Sequence, residues 1–231
     1  MSTPQSRRTL LKQLTALGLL GPAGVSGFIQ EALAKGDAPP IPGVNTFTGT
    51  VTVNGQAAKV GTTVKPGDKI VTGKSSSTVM VVGKDAFLLR ENTTVVLEEK
   101  KGKPGVLDSI LIATGKALLV FEKREGDRVN IKAAGATIGI RGTGCYIELQ
   151  EARTYFCLCY GEDAVDGVGM PNTKMLKTTH HESPVWLDDS GGVMKVDKAG
   201  FVNHNDDELI MLENLTGREP PFVKMGLRGR Y

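Results

Sequence analysis

Between residues 45 and 140, short runs of Val, Ile, Leu and Thr return about every 8 to 12 residues, each cut off by turn residues. That rhythm leaves no room for the longer 3.6-residue periodicity of a helix. Asn45–Val53 reads as a strand that turns at Asn54-Gly55, a dipeptide suited to a tight hairpin. Ala57–Val64 follows and ends at the Pro66-Gly67-Asp68 turn. Lys69–Thr72, Thr78–Val82, Ala86–Leu89 and Thr93–Leu97 continue the series, and a charged loop follows. Ser109–Ala113, Lys116–Phe121, Arg128–Ala133 and Thr137–Ile140 complete it. The expected class is all-β, a short-stranded β-solenoid or β-sandwich, with a β-hairpin extension and one short C-terminal helix.

The first 34 residues have a different character. Arg7-Arg8 and Lys12 precede an apolar stretch, Leu14–Ile29, that is interrupted by Gly18, Gly21, Pro22, Gly24 and Gly27. Its 16 residues fall short of the roughly 20 that span a bilayer. It closes on Ala32-Leu33-Ala34, the small-x-small pattern of a signal-peptidase site, with cleavage after Ala34. Ser6-Arg7-Arg8-Thr9-Leu10-Leu11-Lys12 resembles a twin-arginine export motif. The resemblance implies passage through the twin-arginine translocase in the folded state. The expected location is the periplasm, or a membrane tether if the leader is retained. Without residues 1–34 the chain has 25 basic and 24 acidic residues. A net charge of +1 argues against nucleic acid as a partner.

Residues 35–44, with Pro39, Pro40 and Pro42, read as a linker, and 45–150 as the main β domain. Within that domain Val64-Lys65-Pro66-Gly67-Asp68-Lys69-Ile70-Val71-Thr72-Gly73-Lys74-Ser75 is similar to the opening signature of FecR domains. Gly115-Lys116-Ala117-Leu118-Leu119-Val120 resembles their middle strand, and Ala136-Thr137-Ile138-Gly139-Ile140-Arg141-Gly142-Thr143 their closing signature. The FecR resemblance implies an envelope domain that relays signals through protein contacts. Typical relatives carry a cytoplasmic sigma-factor regulator before a membrane span. Only about a dozen residues precede the apolar stretch here, so direct sigma-factor control is not expected.

Residues 151–231 form a C-terminal extension, and its first part carries an unusual pattern. Gly144–Leu149 and Thr154–Tyr160 read as a hairpin bearing Cys145, Cys157 and Cys159. Cys157 and Cys159 are two apart and share a face, with Cα atoms about 6.5 Å apart and side chains in parallel. That geometry suits a shared metal ion better than a mutual disulfide. The alternation of Cys145, Ile147 and Leu149 against Tyr146 and Glu148 places Cys145 on the apolar side, which favours three sulfurs on one face. Three readings stay open: a disulfide from Cys145, inert burial of all three, or a metal site completed by His180 or His181. Sulfur with imidazole suits zinc, copper or iron. His180 and His181, as neighbours on a strand, are expected to face opposite ways. His204 is the only other histidine.

Asn205 with Glu208 three residues later reads as a capping box opening a helix at about 205–216, ended by Gly217. The acids at 206–208 are explained by the helix dipole rather than by calcium. No nucleophile elbow, phosphate loop or HExxH is present. The leading expectation is a non-enzymatic exported module that senses or binds an envelope protein or glycan. The alternatives are a metal- or redox-cofactor protein built on the cysteine hairpin, and a signalling regulator acting through a separate partner.

Overall fold

The computed structural model describes residues 42–124, 128–151 and 153–229. The proposed leader, with Arg7, Arg8 and Ala34, lies outside the described residues. Within them the chain forms sixteen strands and two helices. The strands are β1 Gly43–Thr48, β2 Val51–Val53, β3 Gln56–Ala57, β4 Lys69–Thr72, β5 Ser77–Val82, β6 Asp85–Leu89, β7 Thr94–Glu99 and β8 Leu107–Thr114. They continue as β9 Lys116–Val120, β10 Val129–Ala133, β11 Ala136–Ile140, β12 Gly144–Leu149, β13 Thr154–Gly167, β14 Lys174–Thr178, β15 Val185–Asp188 and β16 Lys195–Lys198. The helices are α1 Asp206–Asn214 and α2 Pro221–Lys224. The all-β expectation with a short C-terminal helix is met.

Two sheets share one strand. The first runs β1-β5-β6-β9-β12-β13-β15-β16 and is antiparallel throughout. The second runs β3-β2-β4-β7-β8-β10-β11-β13-β14, antiparallel except for the parallel β8–β10 pair. Both sheets end on open edges, so no barrel closes. Their facing sides supply one core that includes Ile70, Phe87, Leu97, Ile110, Leu119, Ile138 and Ile147.

The sequence reads Thr154–Tyr160 as the returning strand and residues 161–173 as a loop or irregular strand, whereas β13 runs on for fourteen residues. Gly161 is where the strand passes from one sheet to the other. Its φ of +104° lies in the glycine-favouring region, and a Cβ there would meet Thr143 Cγ2 at 2.5 Å. The expected strand at Ala57–Val64 shrinks to the two residues of β3. β14 was not expected as a strand. As an edge strand it buries only Leu176 and Thr178 and gives little apolar signal.

A second apolar layer lies on the outer side of the first sheet. Val79, Val81, Leu88, Leu118 and Tyr146 are fully buried there beneath Leu209, Met211, Leu212 and Phe222. The capping box is present: Asn205 Oδ1 accepts from Glu208 N–H at 3.0 Å, and Asn205 N–H donates to Glu208 Oε2 at 3.1 Å. Both faces of the β12–β13 ladder are therefore dry.

Candidate metal centre

Hairpin register decides which sulfurs meet. Leu149 pairs with Thr154 and Cys145 with Leu158, so the turn is centred between positions 151 and 152. Cys145 consequently points into the inter-sheet core with Ile147, Phe156 and Leu158. Cys157 and Cys159 point the other way, toward α1, with Tyr146 and Tyr155. The expectation that Cys145 shares their face is corrected. The pattern used to place it assumed one dry face, whereas both are dry and apolar alternation carries no sidedness. All three cysteines are unbridged.

The histidines arrive from two further segments. After β14, the Glu182 carboxylate accepts N–H bonds from Thr179 at 2.6 Å and His180 at 3.0 Å, and also binds the Thr178 hydroxyl. This bends the chain, and His181 takes a φ of +57°. His181 N–H then donates to Cys159 C=O at 3.0 Å, which fixes the bend against β13. The expected opposite orientation of His180 and His181 does not occur. Strand alternation does not apply across a left-handed residue, and both rings are buried facing Asp206. His204, from the loop before α1, stacks on Tyr146 with ring centroids 4.7 Å apart.

Four ligand-type atoms converge. Cys157 Sγ lies 3.6 Å from His181 Nδ1, and Cys159 Sγ lies 3.4 Å from His204 Nε2. His204 Nε2 and His181 Nδ1 are 3.2 Å apart. All four atoms lie within 4.8 Å of one another, and all four residues are buried. Zinc ligands at about 2.05 Å for nitrogen and about 2.3 Å for sulfur, at tetrahedral angles, would be about 3.4 Å apart N to N and about 3.6 Å apart N to S. The one N–N and two N–S separations, at 3.2, 3.6 and 3.4 Å, match that arrangement.

Hydrogen bonds on the far side of each ring fix the tautomers. His204 Nδ1 lies 2.8 Å from Val202 C=O, which can only accept, so Nδ1 carries the hydrogen and Nε2 presents a lone pair. His181 Nε2 lies 3.1 Å from the Asp206 carboxylate, so His181 presents its Nδ1 lone pair inward. Asp206 also accepts from His180 Nε2 at 2.9 Å and from Gly229 N–H at 2.6 Å. Burial opposes its ionisation, but the Gly229 N–H and the two imidazoles outweigh it and hold the carboxyl below its ordinary range. The Cys159 thiol, hydrogen-bonded to Cys157, pulls the Cys157 thiol well down against the cost of burial, and His181 and His204 add to this. Burial, together with the Cys157 charge, pushes Cys159 well up. The pair thus stabilises one thiolate inside the cluster. Cys145 is pushed up by burial and takes no part.

Of the expected ligands, Cys157, Cys159 and His181 come together. His180 stands behind Asp206, and Cys145 lies across the sheet. His204 and Asp206 were not singled out from the sequence. Spacing gave no hint of His204, and Asp206 was fully accounted for as an N-terminal helix acid. The one available signal was that the chain has only three histidines, so any Cys/His site had few ligands to draw on.

No family model matches the chain, and no curated protein matches it. Two crystal structures from Parabacteroides distasonis ATCC 8503, of proteins provisionally described as anti-sigma factors, are similar to it. Each has 12% sequence identity and a TM-score of 0.45. One alignment covers 56% of this chain and 59% of the other protein, and the second covers 70% and 65%. The chain thus spans less than two thirds of either protein.

Proposed function

We propose that this chain is a non-enzymatic, metal-binding module of the cell envelope. It holds one zinc-class divalent ion between Cys157, Cys159, His181 and His204. The observation that carries the reading is that His181 Nδ1 and His204 Nε2 come within 3.2 Å of each other beside two buried sulfurs, with the far nitrogen of each ring already bonded to an acceptor. The two inward lone pairs repel each other unless a proton or a cation stands between them. Two sulfur and two nitrogen donors at tetrahedral spacing are a zinc set, and copper or iron are the lesser fits. Four protein ligands leave no open position for a substrate, which supports a structural or sensory role over catalysis.

The leader-like residues support export by the twin-arginine route, which delivers folded protein and would let the ion be loaded before transport. The three FecR-like segments support a role in contacts with an envelope protein or glycan. A signalling role through a separate partner is part of the same reading.

The test is metal content by mass spectrometry of the full chain purified without chelator. The reading expects about one zinc per chain. It expects loss of that zinc in Cys157→Ser, with thermal stability reduced. Full occupancy in that variant would overturn the assignment.

A further inference from the structure

The metal ligands do not all belong to one body of structure. Cys157 and Cys159 sit within β13, and His181 is tied to β13 through its own N–H. His204 alone begins the C-terminal segment that carries α1 and α2 over the outer face of the first sheet. That segment has a peculiar contact surface. Besides its apolar side chains, α1 buries three carboxylates: Asp206, Glu208 and Glu213. Each needs partners, and each has at least one from the body of the fold. Glu208 has Arg90 at 2.9 Å, and Glu213 has Tyr160 and Arg218. Asp206 depends on the N–H groups of His180, His181 and Gly229.

One of those partners, His181, is also a ligand: with a metal on its Nδ1, its Nε2–H faces Asp206 at 3.1 Å. Without the metal, nothing binds His204 Nε2 to His181 Nδ1 and the two sulfurs beside them, and the link from His204 to the body of the fold is lost. That loosens the N-terminal end of α1 next to Asp206, which also holds the segment's far end through Gly229.

We infer that metal occupancy locks residues 203–229 onto the outer face of the first sheet, with Asp206 as the pin. The ion thereby controls whether Val79, Val81, Leu88 and Leu118 are covered. This rests on the metal reading above.

The test is hydrogen exchange of the full chain, read by mass spectrometry, zinc-loaded and after chelation. Amides of 206–215 are expected to exchange at least about ten-fold faster without zinc, while those of β7 and β8 keep their rates. Asp206→Asn, held at saturating zinc, is expected to show the faster exchange even when loaded. Stoichiometric zinc with unchanged exchange of α1 would overturn the lock and leave the metal reading standing. Equal acceleration in β7 and β8 would also overturn it, because the ion would then hold the whole fold. Absence of zinc binding would remove both.

Discussion

His204 Nε2 stands 3.2 Å from His181 Nδ1, and each ring has its hydrogen committed to an acceptor on the opposite side. Two nitrogen lone pairs directed at each other among buried side chains have unfavourable electrostatics unless something positive lies between them. The surroundings supply two sulfurs at matching distances, one of them favoured as a thiolate.

Because Cys145 lies across the sheet from this cluster, the three cysteines are expected to divide sharply. Cys145→Ala keeps full metal stoichiometry and loses only packing, about 1–2 kcal/mol for a side chain this small. Cys159→Ser loses most of the metal. Metal content and urea unfolding of the two variants, side by side, check this.

Asp163 predicts an unusual pH dependence. Its side chain is fully buried. Burial raises its pKa to about 7, against a weaker pull from Thr143 and the Arg141 N–H. Its protonated form is the one the fold accepts. This stabilisation is fully present below the unfolded value of about 3.9 and is lost as pH rises to about 7, with an upper bound on the order of 4 kcal/mol. Wild type and Asp163→Asn should therefore be similar near pH 4, and the variant should be the more stable above pH 7. Equilibrium unfolding at both pH values measures the difference.

Arg90 joins the end of β6 to α1. Its guanidinium donates to both oxygens of Glu208, at 2.9 and 3.0 Å, and to Asn203 C=O at 2.8 Å. The Glu208 side chain is only 7% exposed, so removing its partner strands a nearly buried charge. Arg90→Ala is expected to lower stability by about 2 kcal/mol, while Arg90→Lys recovers part of the loss. Chemical denaturation of the zinc-loaded proteins tests this.

Gly161→Ala strikes the bend of β13. A Cβ at 2.5 Å from Thr143 Cγ2, on a residue with a φ of +104°, forces the strand to shift just beyond Cys159. The variant is expected to lose more than about 2 kcal/mol and to bind zinc more weakly. Calorimetry and zinc titration against a fluorescent chelator provide the two readouts.

Much of the β body is legible because strand period and turn chemistry act locally. Lys69–Thr72 and Gly144–Leu149 begin and end where Val, Ile and Gly place them. The capping box at Asn205 and Glu208 is equally local. What escaped depends on distant partners. β14 is a strand because it pairs with the part of β13 beyond Gly161, where Thr143 lies too close to admit a side chain. The candidate site was half legible for the same reason. Cys157 and Cys159 share a face by strand geometry alone, whereas the side of Cys145 turns on a hairpin centre that shifts by half a residue. His180 and His181 face one way only because Glu182 bends the chain beneath them. His204 comes from a loop 45 residues after Cys159, a closure that no local pattern encodes.

The central claim is best tested by cobalt substitution of the purified full chain, with absorption spectroscopy before and after mutation. One Co²⁺ per chain is expected, with intense tetrahedral d–d bands and a sulfur-to-cobalt charge-transfer band. Cys157→Ser should reduce that band, and His204→Ala should open the site to a weaker, five-coordinate spectrum. A weak octahedral spectrum in the wild type, or a wild-type spectrum unchanged in both variants, would contradict it.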